Sequence, residues 1–355
     1  MRNKLLLLLL SLTSLLFSSC EKELIGTGIE DHFFLENEGA IMPVVVEGNT
    51  SSKTFIVIVH GGPGGNAMIY NGLLTDFSDQ LEEKYAMVYW DQRSSGNSSG
   101  HYSNDQLEME DFVDDLDKLL SVLEYRYGTD IGIFLMGHSW GGALGSAYIT
   151  TGDNQNRLKG WIDVDGVHNF PAYGRMTRNR LLEVGNDQLG RGNTEDHWEE
   201  VVEFCTGLNI SSITRKQEFE LNSFGHLSEP VLSNDGFVNK FEVDSGDQLA
   251  FELFTNHNSL TALYNNLVTT STVWDKVSAL DYSEALESVE IPGLFLWGRF
   301  DLVVPLEMGQ EAFDHYGAAD EDKSLVVFER SAHSPMANEA NAFVLEVISF
   351  VDKYK

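Results

Sequence analysis

The sequence predicts an α/β fold: a mostly parallel central sheet, flanked by helices, with an inserted helical cap. Three observations carry this expectation. Short, almost wholly apolar, β-branched runs recur along the chain, as strands buried on both faces require. Between them lie stretches of helical periodicity, so strand, helix and strand alternate as in right-handed βαβ units. That alternation stops over a long central stretch and then resumes.

Taken in order, "DHFFLENEGAIMPVVVEGN", before residue 50, has the turn-rich alternation of short antiparallel strands. "TFIVIVH" (54–60) is the first buried-strand run and ends in "GGPGGNA"; "YAMVYWDQR" (85–93) is the second and ends in a Ser/Gly/Asn-rich loop. Leu107, Phe112, Val113, Leu116, Leu119, Leu120 and Leu123 then fall near helical spacing, with Gly128 as a stop. "IGIFLMG" reads as a strand, "GGALGSAYITTG" as a helix and "LKGWIDVDG" as a strand. Between residues 168 and 285 such runs give way to amphipathic, aromatic-bearing stretches such as "NTEDHWEEVVEFCTGL" and "DQLAFELFTNHNSLTALYNNL". Strands return with "IPGLFLWG" and "KSLVVFE", and a last helix closes the chain. The expected division is a signal peptide over 1–19, a core over 20–167 and 286–355, and a cap over 168–285.

The amino terminus, "MRNKLLLLLLSLTSLLFSSC", sets Arg2 and Lys4 before an apolar run and then small residues, the layout of a secretory signal peptide. The run is shorter than the roughly 20 residues of a membrane span. "LLFSSC" resembles the bacterial lipobox, which implies that Cys20 becomes the lipidated first residue of an exported, envelope-anchored chain. Cys20 and Cys205 are the two cysteines of the 355 residues, so a chain lipidated at Cys20 has no internal disulfide and depends on its packed core. The formal net charge is −32, and loss of Arg2 and Lys4 makes it two units more negative. Nucleic acid is excluded as a partner on this balance, since a phosphate backbone would be repelled.

The chemistry gathers around "LMGHSWGGALGSAYI" (135–149). Gly-x-Ser-x-Gly between a buried strand and a small-residue helix is the placement of a nucleophile elbow, with Ser139 exposed at the strand's carboxyl end. A serine hydroxyl needs a base, and the base needs an acid to fix its tautomer. Downstream, "LFLWGRFDLVVP" places Asp301 just past one buried strand, and "LVVFERSAHSPMAN" places His333 past the next. Asp163 and Asp165, in "WIDVDG", are the rival acids. Attack on a carbonyl also needs donors for the developing oxyanion. Trp140 N–H, directly after the nucleophile, is one; the other comes from "HGGPGG", where Pro63 has no N–H, leaving Gly62 or Gly61 ahead of Gly64. A phosphate-cradling loop is excluded because no Lys-Ser or Lys-Thr follows the glycines, and the histidines lack metal-ligand spacing such as His-Glu-x-x-His. No metal or organic cofactor is expected.

"HGGPGG", "DQRSSGNS", "GHSWGG", "GRFDLVVP" and "AHSP" occur in the order and spacing of the α/β-hydrolase superfamily, and His-Gly-Gly-Pro-Gly with Asp-Gln-Arg resembles its prolyl iminopeptidase branch. The resemblance covers roughly residues 50–170 and 288–355. It implies Ser139, Asp301 and His333 as the catalytic triad, Gly62 and Trp140 as the oxyanion hole, and His60, Asp91 and Arg93 as loop support. Two positions depart: Ser94 stands where the branch usually has glycine, and His138 where it often has glycine. Proline-releasing members bind the substrate amine with cap carboxylates, for which Glu183, Glu195, Asp196, Glu199, Glu200, Glu203, Glu218 and Glu220 are the candidates here. The expected function is a serine hydrolase working through an acyl-enzyme, an aminopeptidase acting on short peptides. An esterase or amidase of small carbonyl compounds is the alternative, and a ligand-binding lipoprotein on an inactive scaffold is the alternative of another class.

Overall fold

The computed structural model describes residues 31–241 and 258–355; the expected signal peptide and Cys20 lie outside the described residues. Among the described residues nine strands form one sheet: β1 (Asp31–Asn37), β2 (Ala40–Gly48), β3 (Thr54–Val59), β4 (Ala86–Trp90), β5 (Ser99–Gly100), β6 (Gly132–His138), β7 (Gly160–Val164), β8 (Gly293–Gly298) and β9 (Lys323–Phe328). Their order is β1-β2-β4-β3-β6-β7-β8-β9, with β5 pairing β2. From β4 through β9 every pair is parallel, while β1 and β2 are antiparallel to each other and β2 to β4. The β1–β2 turn places both Glu38 and Gly39 at positive φ, the conformation that matches the twist of a two-residue hairpin.

The described helices are α1 (Met68–Gly72), α2 (Thr75–Glu82), α3 (Met109–Tyr127), α4 (Trp140–Thr150), α5 (Phe170–Arg191), α6 (Glu195–Gly207), α7 (Arg215–Asn234), α8 (Ser259–Val277), α9 (Ser283–Leu286), α10 (Leu306–His315), α11 (Pro335–Asn338) and α12 (Ala340–Tyr354). Strand side chains alternate between two cores, as a period of two requires. Phe55, Val57 and Val59 of β3 pack with α3, α4 and α10, whereas Ile56 and Ile58 pack with α2 and α12. Apart from the half-buried Val113, the apolar residues singled out between Leu107 and Leu123 are the buried stripe of α3 together with its lead-in.

Between β7 and β8 the described residues form helices α5 to α9. Where the chain enters and leaves this segment it pairs with itself: Phe170 N–H donates to Leu280 O (3.0 Å) and Tyr282 N–H to His168 O (3.0 Å). Leu181, Val184, Trp198, Val201, Cys205, Leu221 and Leu232 give the segment a core of its own, which reaches Leu302 and Ala332 on the sheet side.

Candidate active site

Ser139 joins β6 to α4 with φ 57° and ψ −118°, a conformation that costs a non-glycine residue about 1–3 kcal/mol and persists only where its surroundings hold it. Here the Ser139 N–H donates to Val164 O (3.0 Å), and its carbonyl accepts from Gly142 (2.9 Å) and Val167 (3.2 Å). The flanking glycines are required by contact. A Cβ on Gly141 would lie 1.8 Å from Val59 O, and one on Gly137 would lie 2.4 Å from both Gly141 O and Trp161.

His333 lies in the loop after β9 and Asp301 in the loop after β8. Their side chains meet at 2.8 Å, His333 Nδ1 to Asp301 Oδ2. The other carboxylate oxygen, Oδ1, accepts the Val303 and Val304 N–H groups (2.8 and 2.9 Å), so Asp301 both turns its loop and holds the imidazole. With Nδ1–H given to the acid, Nε2 keeps its lone pair. Burial pushes His333 down to about 3, so the ring is neutral across the working range.

The rival acids are placed apart from this role. Asp163 points beneath the elbow, where a Cβ on Gly166 would lie 1.9 Å from its Oδ1. Asp165, at φ 46°, accepts the Gly298 N–H (2.9 Å) and interacts with Asp301. Burial raises both carboxyls of that pair and Asp165 further, because Asp301 alone has two backbone donors at its side chain. His138, Asp165 and His333 bring donor atoms within 4.8 Å of one another. Both nitrogens of His138 and Nδ1 of His333 are already engaged in hydrogen bonds, so His138 offers no free lone pair to an ion.

The "HGGPGG" loop after β3 is held from several sides. Gln92 N–H donates to His60 Nε2 (3.1 Å), which leaves the proton on Nδ1 to donate to Gly61 O (2.8 Å). Gln92 also bonds His60 O (3.0 Å) and takes the Trp140 Nε1–H (2.9 Å), linking this loop to the residue after the serine. Asp91 accepts Ala67 and Asn97 N–H (each 2.8 Å) while fully buried, and burial lifts it to about 6. Arg93, also fully buried, makes a bidentate pair with Asp115 of α3 (2.5 and 2.7 Å) and donates to Gln106 O (2.9 Å). Sequence reasoning missed Gln92 and Asp115. The first was signalled by the Asp-Gln-Arg triplet; the second is hidden among the acidic residues of α3.

Helix α8 lies across these loops. Asn265 Nδ2 donates to Gly96 O and Ser98 O (each 3.0 Å), Thr270 Oγ1 to Pro63 O (2.7 Å), and Thr269 Oγ1 to Ser94 Oγ (2.7 Å). Ser94 has φ 55°, the region that favours glycine, and its hydroxyl is spent on α8. That accounts for serine at a position where glycine is usual.

Ser139, His333, His138, Tyr70 and Gly62 open into a cavity of about 710 Å³, walled by Phe219, His226, Glu229 and Trp274 from the inserted helices. Glu229 of α7 is the one carboxylate among the described lining residues. Its Oε1 accepts the His333 backbone N–H (3.0 Å), and burial, with the charge of Asp301, raises it to about 8. The cap carboxylates named from sequence lie elsewhere: Glu183, Glu195, Asp196, Glu199, Glu200 and Glu203 are exposed, Glu220 pairs with Lys216, and Glu218 accepts Trp274 Nε1–H (3.3 Å) behind the wall. On α5 and α6 the acids occupy the solvent face, opposite the core around Trp198.

The family model described as Serine aminopeptidase, S33, matches residues 50–181, the segment from β3 into α5. Among curated proteins, "Probable aminopeptidase YbaC" of Bacillus subtilis (strain 168) is 23% identical over 313 residues, covering 84% of this chain and 89% of its own. A proline iminopeptidase of Xylella fastidiosa is 37% identical over 340 residues, covering 86% of this chain and 91% of its own. Among solved structures, VinJ superposes with a TM-score of 0.63 at 19% identity, covering 92% of this chain and 99% of its own. The chain therefore belongs to the α/β-hydrolase family, in its prolyl iminopeptidase branch, and is a serine hydrolase.

Proposed function

We propose that the protein is an aminopeptidase that releases amino-terminal residues, proline among them, from short peptides. The observation that supports this reading is Glu229: a half-buried carboxyl that lines the same cavity as Ser139 and could pair with a substrate ammonium. Phe219 and Trp274, whose rings pack 5.4 Å apart, add an apolar wall suited to a pyrrolidine or other small side chain. The exported, lipid-anchored location belongs to the same proposal and rests on the leader and Cys20.

In this reading Ser139 Oγ attacks the carbonyl carbon of the first residue while His333 Nε2 takes the hydroxyl proton. Asp301 stabilises the imidazolium. The oxyanion is received by the N–H groups of Trp140 and Gly62. Gly62 is preferred over Gly61 because the Gly61 N–H is directed at Tyr70 Oη (3.4 Å). His333 then returns the proton to the leaving amine, and water, activated by the same base, cleaves the acyl-enzyme. Glu229 and the bound ammonium fix the depth of entry, so the first residue alone reaches Ser139.

The test is a substrate panel on wild type and Ser139→Ala. A Pro-arylamide turned over in preference to a short acyl ester, with both activities lost in Ser139→Ala, is the expected result. Preference for the ester would return the reading to an esterase. Activity surviving in Ser139→Ala would overturn the nucleophile.

A further inference from the structure

Tyr70 and His138 take no part in the acyl-transfer steps, yet they join the two loops that do. His138 Nε2 lies 2.7 Å from His333 O, and His138 Nδ1 lies 2.6 Å from Tyr70 Oη. A carbonyl oxygen can only accept, so Nε2 carries the ring proton and Nδ1 accepts the Tyr70 O–H. Tyr70 Oη in turn takes the Gly61 N–H. With its carbonyl held by His60 Nδ1–H, Gly61 has both polar groups committed, which orients the peptide leading to Gly62. At the other end, the His333 backbone gives its N–H to Glu229 and receives the His138 N–H at its carbonyl. The His138 and His333 rings also pack at 4.9 Å. Tyr70 and His333 are 8% and 5% exposed, so water competes little for these bonds. Burial holds His138 at about 3, which keeps this donor and acceptor pattern through the ordinary pH range.

We propose that Tyr70 and His138 are positioning residues: a hydrogen-bonded bridge beside Ser139 that fixes the oxyanion loop relative to the loop carrying the base. The inference rests on the serine-hydrolase mechanism above. Such a bridge acts on the transition state, where oxyanion donor and base must both be in register, and contributes little to holding the substrate. It also gives His138 a purpose, since a glycine there has no side chain to span the two loops.

The test compares Tyr70→Phe, His138→Leu, His138→Gln and the Tyr70→Phe/His138→Leu double variant in the full chain, reading kcat, KM and inactivation by a fluorophosphonate. Tyr70→Phe and His138→Leu should each lower kcat and the inactivation rate about tenfold, with KM within about twofold of wild type. The double variant should fall no further than the worse single variant, as members of one unit do. His138→Gln, which keeps a donor and an acceptor, should recover most of the rate, and this rescue separates positioning from packing. Should His138→Leu fail to fold, Tyr70→Phe and His138→Gln carry the test. The bridge is overturned by single variants within about twofold of wild-type kcat, by a rise in KM alone, or by losses that multiply in the double variant. A wild-type chain that the fluorophosphonate does not label overturns the hydrolase mechanism and the bridge with it; normal labelling with a silent Tyr70→Phe overturns the bridge alone.

Discussion

Glu229 has two partners to satisfy, the His333 N–H it already accepts and the ammonium proposed above. Raised to about 8 by burial, it is neutral below that pH in the free enzyme, and an ammonium ligand needs it ionised. For an aminoacyl arylamide, kcat/KM should therefore rise with pH toward about 8, then fall as the α-amino group, with a pKa near 8, loses its charge. Glu229→Gln should flatten the rising limb and raise KM about tenfold or more at pH 8, the value of a hydrogen bond to a charged group. An acyl ester without an amine should show neither effect, and a pH series on both substrates checks this. The placement of Ser139, Asp301 and His333 was legible because each follows a strand: β6 and β8 are buried as their apolar runs predict, whereas β9, before His333, is a half-buried edge strand and not the buried one its sequence suggested. Glu229 was not, because on the helices of the insertion one acid looks like another until their packing shows which face is inward.

At the level of elements, the strand–serine–helix corner is the least forgiving part of the molecule. Gly141→Ala would drive a Cβ into the backbone carbonyl of Val59, which no side-chain rotation relieves. We expect it to cost about 3 kcal/mol or more, or to give insoluble protein, measured by chemical denaturation. Helix α3 bears a different load. Asp115→Ala would remove the bidentate partner of the buried Arg93 guanidinium and leave it the longer contact with Asp111 (3.6 Å), and a loss of about 3 kcal/mol is expected, read from the urea midpoint. The buried strands and α3 followed from periodicity. Short elements such as β5, α1 and α11 did not, because tertiary contacts hold them: β5 by pairing with β2, and α1 through Tyr70 against His138. Asp115 also runs against periodicity, as a charged residue on the buried stripe whose reason is an arginine 22 positions earlier.

At the scale of the whole molecule, the alternation of strands and helices foretold a mostly parallel sheet flanked by helices, and the described residues between β7 and β8 are largely helical. The arrangement of those helices over the loops was not legible, since it depends on contacts such as Asn265 with Gly96 and Ser98, far apart in the chain. The proposed lipid anchor makes a prediction of its own. Cys20→Ala should abolish incorporation of labelled fatty acid and move the protein from the detergent phase to the aqueous phase on partitioning; an unchanged distribution would refute the anchor.

Helix α8 is at once a wall of the cavity, through Thr270 and Trp274, and a clamp on the loop that carries the oxyanion donor, through Thr270 and Pro63. Fit and chemistry are thereby geared together. In the aminopeptidase reading proposed above, a substrate side chain that pushed Trp274 outward would also pull on the peptide beside the proposed oxyanion donor, penalising an oversized residue in turnover as well as in binding. Selectivity of this kind operates after the substrate has bound, as a stall instead of a refusal.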